Sequence, residues 1–514
     1  IAVLSMWFNA ENNDFANDLY KKIKTLDKKY DRETIIINIY TTLRLLERGL
    51  HQKDDDNSDL SNTDIERRIF KSYLLLNELD NNKDNNIYDS LNGKPDEVKW
   101  ALLVLTQTFR YSDISNFSLR EVFTEQFVRA IQFFIFIEKK YPAELNYFIS
   151  YFGCKSWQEY IQRLFPLVKS ASNNHNGFTE ISVKDGPSKE KDIEFIDKFA
   201  LGDENEELKE LDFVSLRSKP LLKFGHDSYR VIYDLFVFEK VFNGIYFTLI
   251  KMLEMTVDKL KRIFTFEFSE KTMLYYVLKN IFHYSIKQFT GEQLDNLKIK
   301  AAPDYYVKKR TKILLFESKD VVLNSSIKES TSFEIYEAEI KKKLYFYVDE
   351  ETGKIRQKAI LQLVHNIEEI LKQAIKYDHV KKGTKVYPIL VIHHRQLNVA
   401  GLNELLNVWF RDEMKKLADK GLDIRRVAPL TLINISTLIF YADYFSQKKY
   451  SLEKMIDQYH RTSRRATTIK NKAELENTLL KRIYPFNIFI ANTIKRRGKD
   501  SLLMKNVATL MGKK

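Results

Sequence analysis

The sequence predicts an α+β protein in which a large N-terminal helical region precedes a mixed α/β core. Three observations carry that expectation. Over roughly the first 170 residues, apolar positions recur at helical spacing. From about residue 266 the pattern changes to helix, paired strands, helix, strand and helix. Gly (15) and Pro (9) are sparse for 514 residues, which favours long helices over a sandwich or barrel. Hydrophobic residues make up 44% and aromatic ones 13%, enough for packed cores and too much for global disorder. A chain of this length divides into two to four domains.

Phe15, Leu19, Ile23 and Leu26 stand about one helical turn apart and predict the first helix. Asp31 is placed to cap a helix through "ETIIINIYTTLRLLER", with Gly49 just past its end. "HQKDDDNSDLSNTD" reads as a polar loop, and Asp64 opens a helix through "IERRIFKSYLLLNEL". "DNNKDNNIYDSLNGKPDE" reads as a second loop, followed by helices around Trp100 and from Ser118 to Glu138. Residues 1–168 are thus expected to form a helical domain that senses a signal or binds a partner. Ser, Asn and Gly concentrate at 169–192, the expected linker. Residues 193–265 are expected to form a small bridging α/β element. It holds two strands around the turn Gly225-His226-Asp227-Ser228, then a long apolar helix.

The core is expected over 266–460. "SEKTMLYYVLKNIFHYSIKQF" reads as a helix capped by Ser269. "APDYYVKKR" and "KILLFESKD" read as two strands joined by a tight basic turn, followed by the charged insertion "SSIKESTSFEIYEAEIKKKLYFYVDEETGK". Next come the helix "IRQKAILQLVHNIEEILKQAI", the buried strand "KVYPILVIHH", the helix "LNELLNVWFRDEMKKLA" and the strand "RRVAPLTLIN". The helix "ISTLIFYADYFSQ" is capped by Asn434 or Ser436.

Side chains alternate along a strand, so Leu315, Glu317 and Lys319 share one face while Phe316 and Ser318 share the other. Burying a lone carboxylate or ammonium is costly, so the strand end must pair, hydrate or ligate these groups. Asp304 starts the preceding strand, with twelve residues between it and Glu317. A hairpin of that length sets the two carboxylates side by side. They repel unless a divalent cation lies between them, and hard oxygen ligands suit Mg²⁺ or Mn²⁺.

In these residues the chain resembles the PD-(D/E)XK nucleases. Pro303-Asp304 stands as the "PD" and Glu317-Ser318-Lys319 as the "EXK" after an apolar strand. The resemblance implies a restriction-endonuclease-like αβββαβ core whose Asp304, Glu317 and Ser318 backbone carbonyl hold the metal. It implies that Lys319 positions or activates the attacking water and offsets phosphate charge. Members of the family often carry a further acid on the helix before the hairpin. Glu270 is the match here, with Glu267 as second choice. They also often carry Gln or Lys on the helix after it, here Gln362, with Lys358 four residues earlier on the same face. The implied activity is metal-dependent hydrolysis of phosphodiester bonds, DNA being the expected substrate and RNA the alternative. A large helical region attached to such a core resembles bacterial restriction and phage-defence effectors, which act with a partner such as an NTPase or as homo-oligomers. The competing expectation is a nucleic-acid-binding or assembly subunit without turnover.

The net charge of +13 is unevenly placed: residues 461–514 hold 14 Lys or Arg against 3 Asp or Glu, which leaves only +2 for the rest. A basic C-terminal segment on a near-neutral body suits a polyanion, or else an acidic protein partner. Lys308, Lys309 and Arg310 of the basic turn, and Arg464, Arg465, Lys495, Arg496 and Arg497 of the tail, are the candidate nucleic-acid contacts. Tyr484, Phe486 and Phe489 either stack on bases or sit in a helical core.

Other signals carry less. His283, His393 and His394 are isolated histidines, expected to pack rather than to ligate. "ETGKI" lacks the upstream glycine of a phosphate-binding loop, and no GxSxG, GxGxxG or HExxH is present. The single cysteine, Cys154, excludes an intramolecular disulfide and is expected to be a buried thiol in a reducing cytoplasm. "IAVLSMWFNA" is too short for a membrane span, and no later stretch reaches the ~18 apolar residues that one requires.

Overall fold

In a computed structural model of the chain, two hydrophobic cores meet on the two faces of one five-stranded mixed sheet. The structure describes residues 10–30, 35–51, 60–91, 96–115, 117–172, 179–201, 213–253, 257–282, 287–299, 301–464, 478, 480–495 and 503–505. The principal N-terminal helices are α1 (Asn13–Tyr30), α2 (Ile39–His51), α3 (Asn62–Ser90), α4 (Asp96–Phe109), α5 (Leu119–Lys140) and α6 (Trp157–Ser172).

Several expectations about these helices are corrected. Asn38 caps α2, accepting from the Thr41 N–H at 3.0 Å. Asp31 lies outside the described residues, and Gly49 lies within the helix rather than beyond it. Helix α3, capped by Ser61, runs on through the stretch that reads as a loop after residue 79. Asp80 pairs there with Arg44 and Arg110, Asp84 pairs with Arg110, and Ile87 is buried. These tertiary partners outweigh the weak local propensity of the Asp- and Asn-rich sequence.

The stretch 169–192 is more than a linker. Helix α6 ends at Ser172, β1 (Glu180–Ser182) follows, and a further helix spans Lys189–Asp197. With β2 (Ala200–Leu201), β3 (Leu221–Lys223) and β4 (Ser228–Val231), β1 builds a four-stranded sheet in the order β1-β4-β3-β2. Strands β3 and β4 flank the expected turn. The apolar stretch after them is two helices, Asp234–Glu239 and Asn243–Leu253, rather than one.

A π-helical stretch, Arg262–Met273, leads into α7 (Leu274–Ile281). Ser269 lies inside it and is buried, so it caps nothing. The end of the expected helix is instead β5 (Lys287–Thr290), and His283 lies outside the described residues. Next come β6 (Tyr305–Lys309) and β7 (Lys312–Lys319). The insertion carries a small hairpin, β8 (Phe346–Val348) with β9 (Ile355–Gln357). Helix α8 (Ala359–Leu371), β10 (Lys385–Ile392), α9 (Leu402–Asp419) and β11 (Thr431–Asn434) complete the series.

The sheet order is β11-β10-β7-β6-β5. Strands β5, β6 and β7 form an antiparallel meander, and β10 and β11 add in parallel to β7. Asn434 caps the helix after β11, accepting from the Ser436 N–H at 2.8 Å.

Parallel strands need cover on both faces, and here the N-terminal helices supply part of each. Tyr305, Val307, Leu314, Phe316 and Ile389 share a core with Phe133, Phe134 and Leu164 of α5 and α6. On the other face Tyr306, Ile313, Leu315 and Leu390 pack with Leu105 and Phe109 of α4, Leu363 of α8 and Leu406 of α9. Each core thus draws on residues from before 168 and from 266–460. Gly401, before α9, has φ +84°, and a Cβ there would lie 2.3 Å from the Ala101 carbonyl oxygen. Only glycine allows α4 to approach this closely.

In the described part of the C-terminal segment, Phe486 is buried edge-on to Tyr459 at 5.4 Å, and Phe489 lies 5.5 Å from the same ring. These aromatics belong to the core rather than to a base-stacking surface. Cys154 is buried, as expected. Among the described residues no helix is long and apolar enough to cross a membrane.

Candidate functional site

Strand register builds the site. Tyr305 pairs with Phe316, so one step further along the hairpin Asp304 faces Glu317. The Ser318 N–H donates to Asp304 Oδ2 at 2.7 Å. The Asp304 carbonyl in turn accepts from the Gly291 N–H at 2.8 Å. A Cβ on Gly291 would come within 3.3 Å of that oxygen, so glycine suits the close approach. Asp304 is thus held at both its backbone and its carboxylate.

Glu317 is 1% exposed. Its Oε1 accepts from Lys319 Nζ at 2.8 Å, the same-face contact that strand alternation dictates, whereas its Oε2 has no hydrogen-bond partner. A buried carboxylate oxygen without a partner leaves an acceptor open to a ligand, an ion or a water. Glu270 approaches from the π-helical stretch, its Oε1 accepting from the Asp320 N–H at 2.9 Å. Glu267 turns away, accepting from the Tyr141 hydroxyl at 3.0 Å and pairing with Lys140 at 3.5 Å.

The electrostatics follow from crowding three carboxylates round one ammonium. Burial, then the Asp304 charge, push Glu317 up to about 8, against the pull of Lys319. Burial raises Glu270 to about 7, again opposed by Lys319. Asp304 also moves up through burial, countered by Lys319 and the Ser318 N–H. Burial disfavours the charged form of Lys319, but Glu317, Asp304 and Glu270 overcome it and hold the ammonium above its ordinary value. Burial and Lys319 together depress Lys358, which places that residue within the field of the site. Gln362 is half-buried one turn into α8 and makes no hydrogen bond to Asp304, Glu317 or Lys319.

The basic turn sits elsewhere. Lys308, Lys309 and Arg310 lie at the other end of the hairpin, roughly 15–20 Å from Asp304 at ~3.3 Å per residue. Lys308 pairs with Asp378 at 3.0 Å and Lys309 with Glu453 at 3.3 Å, while Arg310 takes the left-handed turn position at φ +57°. Lys495 is exposed. Arg465, Arg496, Arg497 and the Arg464 side chain lie outside the described residues.

Two further groups stand beside the site. Ser318 Oγ is 2.8 Å from His393 Nε2, and burial pushes that imidazole down to about 3, so it is neutral. His393 packs rather than ligates, as expected, yet it buttresses the strand between Glu317 and Lys319. Arg129 of α5 is also buried. It donates to Glu125 Oε1 at 2.8 Å, to the His393 carbonyl at 3.1 Å and to Ser269 Oγ at 3.3 Å. The signal for it was a lone cation inside the apolar run "FVRAIQFFIF".

Among the described residues no three His, Cys, Asp or Glu side chains form a closed metal cage. What the strand ends offer is an open, all-oxygen set: the Asp304 and Glu317 carboxylates and the Ser318 carbonyl. In an extended strand a residue's N–H and C=O point the same way, so that carbonyl faces the Asp304 side as the N–H does. Together with the unpartnered Glu317 Oε2, this donor set fits a hard divalent cation. Compared with known proteins, the chain matches no family model, no curated protein and no solved structure.

Proposed function

We propose that this protein is a Mg²⁺- or Mn²⁺-dependent nuclease of the PD-(D/E)XK type that hydrolyses phosphodiester bonds, with DNA as its substrate. The observation that carries the reading is the pairing of Asp304 with Glu317 across the hairpin, with Lys319 on the same face. The order helix, three antiparallel strands, helix and parallel strand supports it, because that is the αβββαβ arrangement on which the family places these residues. The same resemblance implies a role in bacterial restriction or phage defence, in the cytoplasm and with a protein partner.

Asp304, Glu317 and the Ser318 carbonyl would hold the cation, which supplies Lewis acidity and a lowered pKa for bound water. The chain's own groups do the rest. Lys319, kept protonated by its three carboxylate neighbours, donates to the attacking water and offsets charge on the phosphate oxygens. It acts as a cation, not as a base. Glu270, raised to about 7, is the group poised to accept a proton near neutral pH through Oε2, since its Oε1 is engaged by the Asp320 N–H. Asp304 keeps its orientation through the Ser318 N–H, so the ligand geometry is set before substrate arrives.

The test is cutting of supercoiled plasmid, single-stranded DNA and RNA, each with Mg²⁺, Mn²⁺ or EDTA, by wild type, Glu317→Gln and Lys319→Met. Metal-dependent cutting of DNA that falls at least ~100-fold in both variants supports the reading. Cutting that survives in both variants overturns it. Cutting confined to RNA replaces the substrate but keeps the chemistry.

A further inference from the structure

The amino ends of β7 and β10 lie at the opposite pole of the sheet from Lys319, roughly 20–25 Å away at ~3.3 Å per residue. Three segments converge there: residues 308–312, 376–385 and 448–461. Together they hold 12 Lys or Arg against 3 Asp or Glu, an excess of nine in a chain whose net charge is +13.

Each of the three acids ties one segment to another. Asp378 meets Lys308 at 3.0 Å, Glu453 meets Lys309 at 3.3 Å, and Asp457 meets Lys385 at 2.6 Å. These clips use every carboxylate of the three segments. They leave nine cations without an ion-pair partner among the described residues, and Arg310, Lys381, Lys382, Lys449, Lys454 and Arg461 among them are exposed. Lys312 stands opposite Lys385 on the neighbouring parallel strand, and both ammonium groups lie over the Tyr387 ring, at 5.7 and 5.0 Å. Along the helix Leu452–Arg464 the cations border a hollow of about 430 Å³. Among the described residues its charged lining is Lys449, Lys454 and Arg461 against Asp457. That carboxylate is already engaged by Lys385 and, at 3.0 Å, by the Tyr387 hydroxyl.

Uncompensated charges within a Debye length of one another, about 8–10 Å, add to a potential of several kT, and a polyanion meets it with release of counterions. The kind of polyanion follows from the side chains around the charge. None of the large apolar side chains exposed among the described residues lies in these segments, and Tyr377, Tyr387 and Tyr450 are buried or half-buried. A protein partner would find no apolar patch to bury, and a single strand no open aromatic face to stack on. A DNA duplex presents its phosphates outward, one charge per ~1.7 Å of axis. We propose that this pole of the sheet is a nucleic-acid surface remote from the scissile centre, which holds the phosphate backbone of duplex DNA through Lys449, Lys454 and Arg461. The choice of DNA rests on the function proposed above; the polyanion surface does not.

Fluorescence anisotropy with a labelled DNA duplex of about 30 base pairs, in EDTA and over a series of NaCl concentrations, tests this. Lys449→Gln/Lys454→Gln/Arg461→Gln should bind at least about ten-fold more weakly than wild type, and the slope of log affinity against log salt should shrink by about 2–3. Arg310→Gln/Lys381→Gln/Lys382→Gln should act in the same direction, and it decides if the first variant fails to fold. Lys155→Gln/Lys184→Gln/Lys191→Gln removes equal charge from exposed positions outside the three segments and should keep the wild-type slope. EDTA removes the metal, so binding is read apart from cutting: a protein that never cuts DNA can still pass this test, and one that cuts can fail it. The proposal is overturned if the duplex does not bind, if both pole variants keep the wild-type slope, or if the Lys155 control loses as much as they do. It is also overturned if single-stranded DNA or poly-L-glutamate of equal charge binds as tightly as the duplex; the poly-L-glutamate result would assign the face to an acidic protein.

Discussion

The Ser318 N–H donates to Asp304 Oδ2 at 2.7 Å, so the strand that carries Glu317 also fixes the aspartate opposite it. The two acids cannot drift apart to relieve their repulsion. One ammonium, on Lys319, is shared among Asp304, Glu317 and Glu270. A site built this way holds surplus negative charge in a buried place, and the cheapest relief is a proton or a divalent cation.

The proton alternative gives a pH signature. The ordinary carboxylate value of Glu317 is 4.5, and in the folded protein it rises to about 8. Between those values the folded chain keeps a proton that the unfolded chain has lost, so stability falls as pH rises through that window and levels off above it. Without metal, the melting temperature of wild type should drop between pH 5.5 and 8.5 by a few degrees more than that of Glu317→Gln. Parallel curves for the two proteins would mean that Glu317 titrates normally.

Ser318 separates backbone from side-chain roles. Its hydroxyl meets the neutral His393 ring at 2.8 Å, whereas the atom proposed to face the cation is its carbonyl. Ser318→Ala should cost about 1–2 kcal/mol of stability, because it orphans a buried imidazole nitrogen. Metal-dependent cutting should stay within a few-fold of wild type. A loss as deep as that of Lys319→Met would show that the hydroxyl itself takes part.

Arg129 ties the helical half to the strand ends through Glu125, Ser269 and the His393 carbonyl. Replacing it by Met strands the buried Glu125 carboxylate and should destabilise the protein by about 3–5 kcal/mol. Adding Glu125→Leu should recover much of that loss. Chemical denaturation of the single and double variants measures the coupling, and strictly additive effects would rule out the pairing.

The hairpin and its acids were legible because alternation in "KILLFESK" and the length of "PDYYVKKRTKILLFE" set register by local rules. The cap at Asn434, one of two candidates, was legible by the same kind of local rule. What escaped depends on distant partners. Residues 80–90 are helical because Arg44 and Arg110 reach Asp80 and Asp84. "KQFT" is a strand because β6 offers it an edge, with Phe289 opposite Tyr306. That α4 and α5 cover opposite faces of the sheet is a relation that no local pattern records. The basic turn looked suited to phosphate, yet Asp378 and Glu453 already hold its lysines.

Gly401 tests how closely those helices are bound in. Alanine there meets the Ala101 carbonyl at 2.3 Å and must also adopt φ +84°. At Gly353 the backbone is similarly left-handed, at φ +63°, but nothing lies within 4 Å. Gly353→Ala should therefore cost about 1 kcal/mol and Gly401→Ala at least about 2 kcal/mol more. Equal costs, read from denaturant midpoints, would contradict the close approach of α4.

The central claim is that Asp304 and Glu317 meet to hold a divalent cation, and Mn²⁺ titration by calorimetry at pH 8 tests it most directly. Wild type should bind Mn²⁺, more weakly as pH falls toward 6 because protons compete for Glu317. Glu317→Gln should bind at least about ten-fold more weakly, with its fold intact by circular dichroism. Equal Mn²⁺ affinity in wild type and Glu317→Gln would contradict the site, and with it the nuclease reading.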